Sequence, residues 1–309
     1  MLVATLLIAL ALDLGLGDPP SRWHPVAGVG RALDAGRRGL SGAPPVLLLV
    51  GGAALVGSLA ALAAILVLTL ERALSSWPLV ALLVDAVLLK GAFSIRGLFT
   101  AVSGVQRALE AGRLEAARAT LSRDLVSRPV ASLDAGQVAS GAIESLAENL
   151  TDSLVAPVLC FLIGGVPAAW AYRVVNTADA MLGYREGELE YLGKAAARTD
   201  DALNWVPARL AAAGLVAGAA LTGGSASGAW RMLRRDGGNT ASPNAGRTMA
   251  AMAGGVGVRL VKPGFYSLGD GALPGPRAIG LALRVAAVAS ALAMAAATLG
   301  LAFLSGGSR

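Results

Sequence analysis

The chain has 309 residues, of which 55% are hydrophobic and only 15% are charged, and its mean hydropathy is +0.64. A soluble domain carries about 25% charged residues, so the composition argues against a soluble protein and indicates a lipid solvent. The net charge of +6 comes without an aromatic and basic recognition motif, which argues against nucleic acid as a partner and favours basic loops beside anionic membrane lipid.

The chain contains one cysteine, Cys160, and one histidine, His24. A disulfide within the chain, a thiolate metal site and a histidine-rich metal site are therefore excluded. Any catalytic metal needs oxygen ligands, a preference that favours Mg²⁺ over zinc.

Apolar runs predict the membrane segments, because a transmembrane helix needs about 20 mostly apolar residues. Four uncharged runs meet this length, and they cover residues 39–70, 153–172, 210–230 and 285–308. Residues 1–12 form a shorter run, and residues 79–99 form a run interrupted by Asp85, Lys90 and Arg96. We predict an all-α, polytopic, integral membrane helical bundle with about 4–6 membrane segments and long polar functional loops. Residues 1–309 should form a single membrane-embedded domain.

Basic residues predict the sidedness of the loops, because cytoplasmic loops are rich in Lys and Arg. Residues 13–43, 96–152 and 231–284 hold four, six and eight basic residues, so all three should be cytoplasmic. If each apolar run crosses the membrane once, residues 173–209 then lie outside, although they hold five basic residues. Either the glycine-containing runs 153–172 and 210–230 are re-entrant, or the functional site lies within the membrane and is reached from both sides.

Polar side chains that are candidates for function begin after the first apolar run. Asp18 precedes two prolines, which favour an extended or turn conformation, and His24 follows. Alone, the pair is more typical of a turn at the membrane exit than of a functional site.

A stripe of carboxylates precedes the second long apolar run. Glu144, Glu148 and Asp152 are spaced four apart and would share one helix face, where like charges repel. A bound cation relieves this repulsion, and Mg²⁺ is typically held by one or two carboxylates plus substrate phosphate oxygens. A solvated helix face is the alternative.

Two further polar clusters follow the second and third apolar runs. The earlier one contains Asn176, Asp179, Arg185 and the acidic pair Asp200 and Asp201. The later one is the segment 242–246, Ser-Pro-Asn-Ala-Gly, whose backbone N–H groups are suited to phosphate. Gly254, Gly255 and Gly257 lie among small apolar residues, a pattern typical of close helix packing.

Together these clusters resemble the adenosylcobinamide-phosphate synthase family of cobalamin biosynthesis (CobD/CbiB type). The resemblance covers nearly the whole chain, and its most specific motifs are ESLAEN, NTADAMLGYR, DDALNWVPAR and SPNAG. They are supported by GDPPSRWHPV at residues 17–26, SRD at 122–124 and AMAGGVGVRL at 251–260. The chain departs from the family at residues 239–241, where a His is frequent, and at residues 261–264, where a Gly-Gly pair is usual.

The resemblance implies an ATP- and Mg²⁺-dependent ligase that joins adenosylcobyric acid to aminopropanol or its O-phosphate. It implies catalytic roles for Glu144, Glu148, Asp179, Asp200 and Asp201, with Mg²⁺ bound by Glu144, Glu148 and Asp152. The implied substrate-binding residues are Asp18, His24, Arg123, Asn149, Asn176, Arg185, Arg198, Asn204, Arg209, Ser242 and Asn244.

The same resemblance implies a multi-pass protein of the cell membrane whose main functional loops are cytoplasmic. Its partners would be the corrinoid and aminopropanol substrates and membrane lipid, and other late membrane enzymes of the pathway are candidates. A transporter and a corrinoid-binding scaffold are the alternative functions, because ionisable groups in membrane segments are also typical of transporters.

Overall fold

A computed structural model describes residues 1–19 and 24–306, with side chains to residue 304. Residues 20–23 of the first motif lie outside the described residues. The described helices are α1 (Leu2–Leu16), α2 (Pro25–Leu40), α3 (Pro45–Ala73), α4 (Pro78–Ala92), α5 (Arg96–Glu110), α6 (Leu114–Asp124), α7 (Ala135–Leu150), α8 (Ala156–Leu182), α9 (Leu189–Leu192), α10 (Lys194–Leu203), α11 (Trp205–Leu221), α12 (Ala226–Asp236), α13 (Ala245–Val256) and α14 (Pro276–Gly306). A π-helical turn, Thr151–Val155, joins α7 to α8.

Among the residues that the structure describes, four segments are long and apolar enough to cross a membrane: Pro45–Ala73, Pro78–Glu110, Ala135–Leu182 and Pro276–Leu304. In the most apolar stretch of α3 only 11% of residues are buried within the protein. Val46 and Leu66 of α3 expose 74% and 59% of their surface, which is costly in water and favourable in lipid. The chain is an all-α polytopic membrane protein, as the sequence predicts.

The third predicted run is wrong as a single membrane segment. Helix α11 ends at Leu221, and α12 begins only at Ala226. Gly223 adopts φ +81°, a left-handed conformation that ends the helix. Helix α12 is amphipathic, with Arg231, Arg234 and Arg235 on it, so it is not part of an apolar span.

The run 153–172 is helical but interrupted. Gly164 and Gly165 have non-helical backbone angles, and φ of Gly165 is +68°. A glycine accepts this conformation without the penalty that a side chain would bring. The interruption lies inside α8, at the pair of glycines that the sequence marks as a candidate break.

The polar segments are mainly helical rather than long loops, because they carry amphipathic patterns and caps. Asp134 caps α7 by accepting a hydrogen bond from the backbone N–H of Gln137 at 2.8 Å, and the Gln137 side chain returns the bond. The one hairpin among the described residues, β1 (Leu260–Lys262) and β2 (Tyr266–Leu268), is not predicted from the sequence. Its strands pair antiparallel, with Leu260 opposite Leu268.

The chain divides into two compact units. Unit 1 comprises residues 1–94, 156–203 and the chain from residue 297, and unit 2 comprises residues 95–155 and 204–296. The prediction of a single domain stays a prediction, because compact units of one chain need not fold independently.

Unit 1 has an apolar core between α2, α3, α8, α9 and α10, which includes Leu33, Val56 and Leu182. Helix α3 approaches α9 so closely that a Cβ at Gly52 would lie 2.0 Å from the Leu192 carbonyl oxygen. In unit 2, glycines bring α12 and α13 into similar contact, since a Cβ at Gly254 would lie 2.2 Å from the Gly228 oxygen. This confirms the predicted close packing.

Candidate functional site

In unit 1, Asp18 belongs to an ion cluster that also contains Lys90 and Asp13. The Lys90 ammonium pairs with both carboxylates, at 3.3 Å for Asp13 Oδ1. Ser94 Oγ donates to Asp18 Oδ2 at 2.5 Å, and His24 Nε2 lies 3.8 Å from Asp18 Oδ1. The sequence could not identify Asp13 as a partner of Lys90, because the two residues are far apart in the chain.

Asp18 is held in its ionised form by its neighbours. Burial acts to raise the pKa of Asp18, but its interactions with His24, Lys90 and Ser94 outweigh the effect of burial and hold this pKa well below its ordinary value. Asp18 and His24 line a cavity of about 500 Å³ with largely apolar walls that include Val87 and Trp170. His24 also caps α2, since its Nδ1 accepts from the Val26 N–H at 3.2 Å.

A second polar group of unit 1 lies between α8 and α10. The Asn176 amide donates to Asp200 Oδ1 at 3.2 Å and accepts from the Arg173 guanidinium at 3.3 Å. Asp200 is buried, whereas its neighbour Asp201 is half-buried. Adjacent residues of one helix point in different directions, so Asp200 and Asp201 occupy different surroundings.

Asp201 faces the other predicted residues of this region across a polar pocket. Arg185 and Arg198 line the same pocket of about 160 Å³. Asp179 does not line this pocket, but its backbone oxygen accepts from the N–H of Gly183, which does, at 2.7 Å. The segment after α8 and helix α10 thus bring three predicted residues of unit 1, Arg185, Arg198 and Asp201, to one pocket.

In unit 2, Glu144 is the acceptor of a buried hydrogen-bond network. Ser140 Oγ donates to Glu144 Oε1 at 2.6 Å, and Tyr266 Oη and Arg128 Nη2 donate to Oε2 at 2.9 and 3.2 Å. Burial and the Glu144 charge raise the pKa of Tyr266, so the phenol remains a donor. Glu144 is 5% exposed.

The sequence predicts a three-carboxylate magnesium site, and the structure gives its members different surroundings. Glu144 faces three protein donors, whereas Glu148 and Asp152 are half-buried at the junction of α7 and the π-helical turn. Such turns are frequent at functional sites. No three His, Cys, Asp or Glu side chains of the described residues are grouped so as to hold a metal ion. Magnesium held by one or two carboxylates and substrate oxygens does not require such a group, and Glu148 and Asp152 fit that smaller role.

Two predicted substrate-binding residues of unit 2 are engaged locally. The Asn149 amide donates to the Ser145 backbone oxygen at 2.9 Å, within its own helix. Arg123 is exposed and forms a two-pronged ion pair with Asp124 at 2.7 and 2.8 Å. This hydrogen-bonded pair raises the pKa of Arg123, so its charge is fixed.

The segment 242–246 forms the N-terminus of α13. Asn244 occupies the cap position without a side-chain capping bond, and its N–H donates to Ser242 Oγ at 3.3 Å. The Thr240 hydroxyl, within residues 239–241, accepts from the Gly246 N–H at 3.0 Å. Thr240 therefore fixes the loop in this chain.

Two arginines of unit 2 lie near each other beside this helix end. Burial and the positive charge of Arg247 lower the pKa of Arg209. Arg209 lies over the Trp205 ring at 3.7 Å, and Arg247 Nε is buried without a hydrogen bond to a described residue. Asn204, which is 2% exposed, precedes α11. Two positive charges beside the N-terminus of a helix are suited to bind an anion such as phosphate.

Comparisons with known proteins agree with these motifs. The profile of the CobD/Cbib protein family matches residues 6–301. The chain is 41% identical over 269 residues to the cobalamin biosynthesis protein CobD of Dehalococcoides mccartyi, and 42% identical over 271 residues to a probable CobD of Methanothermobacter thermautotrophicus, with 87% of each chain covered. It is 39% identical over 291 residues to CobD of Chromobacterium violaceum, with 90% of both chains covered.

No solved structure matches the chain. The family profile spans nearly the whole sequence, and the alignments cover most of both partners. On this evidence the chain belongs to the CobD/CbiB family of cobalamin biosynthesis proteins.

Proposed function

We propose that this protein is the membrane amide synthase that joins adenosylcobyric acid to 1-amino-2-propanol or its O-phosphate, with consumption of ATP. The observation that carries the proposal is family membership over residues 6–301, because the named relatives act in cobalamin biosynthesis. The product would be adenosylcobinamide or its phosphate. ATP is cytoplasmic, so the nucleotide-binding groups would face the cytoplasm.

The reaction needs groups that stabilise phosphate and groups that accept a proton. Phosphoryl transfer from ATP to the carboxylate makes its carbon reactive. The amine, once it has lost a proton, attacks that carbon and displaces phosphate as the amide forms. Bound Mg²⁺ would neutralise phosphate charge. In unit 2, Arg209, Arg247 and the N-terminus of α13 are suited to phosphate, and Glu148 and Asp152 are the carboxylates for the metal.

Unit 1 supplies carboxylates for proton transfer. Asp179, Asp200 and Asp201 are candidates for the base that accepts the amine proton. Asp200 is buried and hydrogen-bonded by Asn176 at 3.2 Å, whereas Asp201 lines an open polar pocket. The more accessible Asp201 is the better candidate, because a base must come within hydrogen-bond reach of the amine.

In vitro ligation tests the proposal. Purified protein in detergent receives adenosylcobyric acid, ATP, Mg²⁺ and either the free or the phosphorylated amine, and mass spectrometry detects the product. The expected result is an amide that forms only in the complete mixture. Folded protein that forms no amide would overturn the proposal and favour a transporter or a scaffold.

A matched pair of variants tests the metal-binding carboxylates. Glu148→Gln should reduce ligation at least roughly a hundredfold, as expected when electrostatic stabilisation of a phosphoryl group is lost. Partial recovery at raised Mg²⁺ would identify a weakened metal site. Glu110→Gln, which changes an exposed carboxylate of the same unit, is the control. Normal ligation by Glu148→Gln would remove this residue from the site.

A further inference from the structure

Helix α12 lies at the surface of unit 2, and its two faces differ in chemistry. We propose that its outward face is a docking surface for the headgroups of anionic phospholipids, in which Arg231 and Arg234 contact lipid phosphate and Trp230 lies at the level of the headgroups. The inference goes beyond the proposed function, because none of the groups proposed for ligation lies on this face.

The inward face of α12 packs on α13. A Cβ at Gly254 would lie 2.2 Å from the Gly228 oxygen and 2.7 Å from Met232 Cγ. Ala229 and Asp236 on the same face are also buried. This face is covered by the protein itself, so the opposite face of α12 is the one left for a partner.

The outward face of α12 carries a stripe of exposed residues. Positions i, i+3, i+4 and i+7 share one side of a helix, and here they are occupied by the exposed residues Ser227, Trp230, Arg231 and Arg234. Trp230 is 54% exposed. An aromatic ring and two guanidinium groups thus share one open surface.

The two outward arginines are not neutralised by the protein. Arg231 and Arg234 form no hydrogen bond or ion pair with any residue in the described ranges 1–19 and 24–306. Their neighbour Arg235, by contrast, pairs with Asp236 at 2.7 Å and with Asp270 at 2.8 Å. The outward face therefore keeps two positive charges, which complement an anionic partner.

The composition of this face favours lipid headgroups over a protein partner. The buried core of a protein interface is more apolar than the rest of the surface, whereas this stripe offers one aromatic ring among polar and basic groups. Tryptophan and arginine are together typical of the membrane interface. There the indole lies among the headgroups, and the guanidinium matches phosphate in a two-pronged arrangement.

The neighbourhood of α12 also favours lipid. Helix α11 contacts α12, and its residues Leu210 and Leu221 are 52% and 69% exposed. Exposed leucines in a membrane protein are suited to acyl chains. Residues 231–284 are predicted to be cytoplasmic, and the cytoplasmic leaflet carries anionic lipid. Apolar and basic surfaces thus adjoin in one unit, as acyl chains and headgroups adjoin in a membrane.

Native mass spectrometry of the full-length protein in detergent tests the surface, with phosphatidylglycerol and phosphatidylcholine as probes. We expect phosphatidylglycerol to bind more tightly. Arg231→Gln with Arg234→Gln should weaken its binding roughly tenfold and leave phosphatidylcholine binding unchanged. The charge-matched control is Arg107→Gln with Arg113→Gln, which removes two exposed arginines near the junction of α5 and α6 in the same unit. Melting temperatures establish that both double variants are folded.

A label on the same face locates the contact. In a Cys160→Ala background, Ser227→Cys carries an environment-sensitive fluorophore, and the protein is placed in phosphatidylcholine nanodiscs with or without phosphatidylglycerol. We expect the emission to shift to shorter wavelength when phosphatidylglycerol is present. Raised salt should reduce the shift, because it screens exposed charges, and Arg231→Gln with Arg234→Gln should abolish it.

Four results would overturn the inference. Equal affinity for the two lipids would show that the face does not select anionic headgroups, and competition by glycerol phosphate would show a site for a soluble anion. Equal loss of phosphatidylglycerol binding in both double variants would show a general effect of charge. Unchanged phosphatidylglycerol binding by Arg231→Gln with Arg234→Gln would leave the face to an acidic protein.

Discussion

At the scale of single residues, Glu144 combines a functional motif with a structural role. It is the first acidic residue of ESLAEN, yet its oxygens accept from Ser140, Arg128 and Tyr266. Ser140 also accepts from the Val261 N–H at 2.7 Å, so α7 and the hairpin are joined at one carboxylate. Removing a donor from a buried carboxylate leaves a poorly solvated charge.

We therefore expect Tyr266→Phe to destabilise the protein by about 1.5–3 kcal/mol, as loss of a hydrogen bond to a charged group does. Thermal unfolding in detergent measures the change. Tyr191→Phe, at a residue 40% exposed, should have little effect. Equal melting temperatures of Tyr266→Phe and wild type would contradict the network.

Tyr266 and Arg128 show why only part of the site could be predicted from sequence. The stripe of Glu144, Glu148 and Asp152 follows from helical spacing, and its partial burial follows from the adjacent apolar run. Tyr266 reaches Glu144 from 122 residues away, and no local pattern marks it. A lone tyrosine in a glycine-rich segment has no periodicity that identifies its partner.

Asp236 gives the stability a dependence on pH. Arg235 forms an ion pair with it at 2.7 Å, and the Gly269 N–H donates to it at 2.7 Å. The hydrogen bond from Arg235, opposed by burial and supported by Gly269, lowers the pKa of Asp236. A carboxylate whose pKa is lower in the folded than in the unfolded state stabilises the fold at pH values above the unfolded pKa of about 3.9. This contribution is lost as the pH falls through the pKa of the folded state.

Asp236→Asn should therefore lower the melting temperature at pH 7, and the deficit should shrink as the pH falls below about 4. Melting curves of both proteins between pH 7 and pH 3 measure it. A deficit that stays constant down to pH 3 would show that the charge of Asp236 does not stabilise the folded state.

At the scale of helices, glycine contacts between α12 and α13 set the geometry of unit 2. A Cβ at Gly228 would lie 2.5 Å from the Gly254 oxygen, and the reverse distance is 2.2 Å. Because the opposing atoms belong to the backbone, the helices would have to separate in order to admit a methyl group. Helix α13 carries the candidate phosphate loop at its N-terminus, so this separation would also move the loop.

Gly254→Ala should consequently destabilise the protein by about 1–3 kcal/mol through overpacking, with reduced ligation. Gly57→Ala is the control, since a Cβ at Gly57 in α3 meets no atom within 4 Å. Melting temperature and ligation rate are the readouts. A fully stable Gly254→Ala protein would show that the helices can separate without cost.

Helices show how far composition predicts the fold. The length of the uncharged runs correctly predicts α3 and the apolar part of α14, because length and apolar composition are what a membrane-spanning helix requires. Uncharged length alone does not show the end of α11 at Leu221 or the interruption at Gly164 and Gly165, although the glycines of these two runs mark them as candidates for a break. At these points the backbone conformation of glycine determines where the helix is interrupted or ends, and hydropathy carries no information about backbone conformation.

At the scale of the whole molecule, two patterns disagree about the side of the membrane on which residues 173–209 lie. The basic residues there favour the cytoplasm, and the proposed function requires its nucleotide on that side. The interruption of α8 at Gly164 and Gly165 and the break after Leu221 flank this segment in the sequence. The prediction that residues 173–209 lie outside assumes that the runs 153–172 and 210–230 each cross the membrane completely. Both runs contain a break, so this assumption is not supported.

Cysteine labelling in intact cells tests the sidedness, because Cys160→Ala removes the single native cysteine. Glu186→Cys places an exposed thiol in the segment. Asn239→Cys is the reference in the predicted cytoplasmic residues 231–284, and Ser76→Cys is the reference outside, because one crossing by α3 separates it from the predicted cytoplasmic residues 13–43. We expect an impermeant maleimide to label only Ser76→Cys before lysis and all three afterwards. Labelling of Glu186→Cys before lysis would place the segment outside. The pocket that contains Arg185 and Arg198 would then open away from cytoplasmic ATP, and the site would have to be reached from both sides of the membrane.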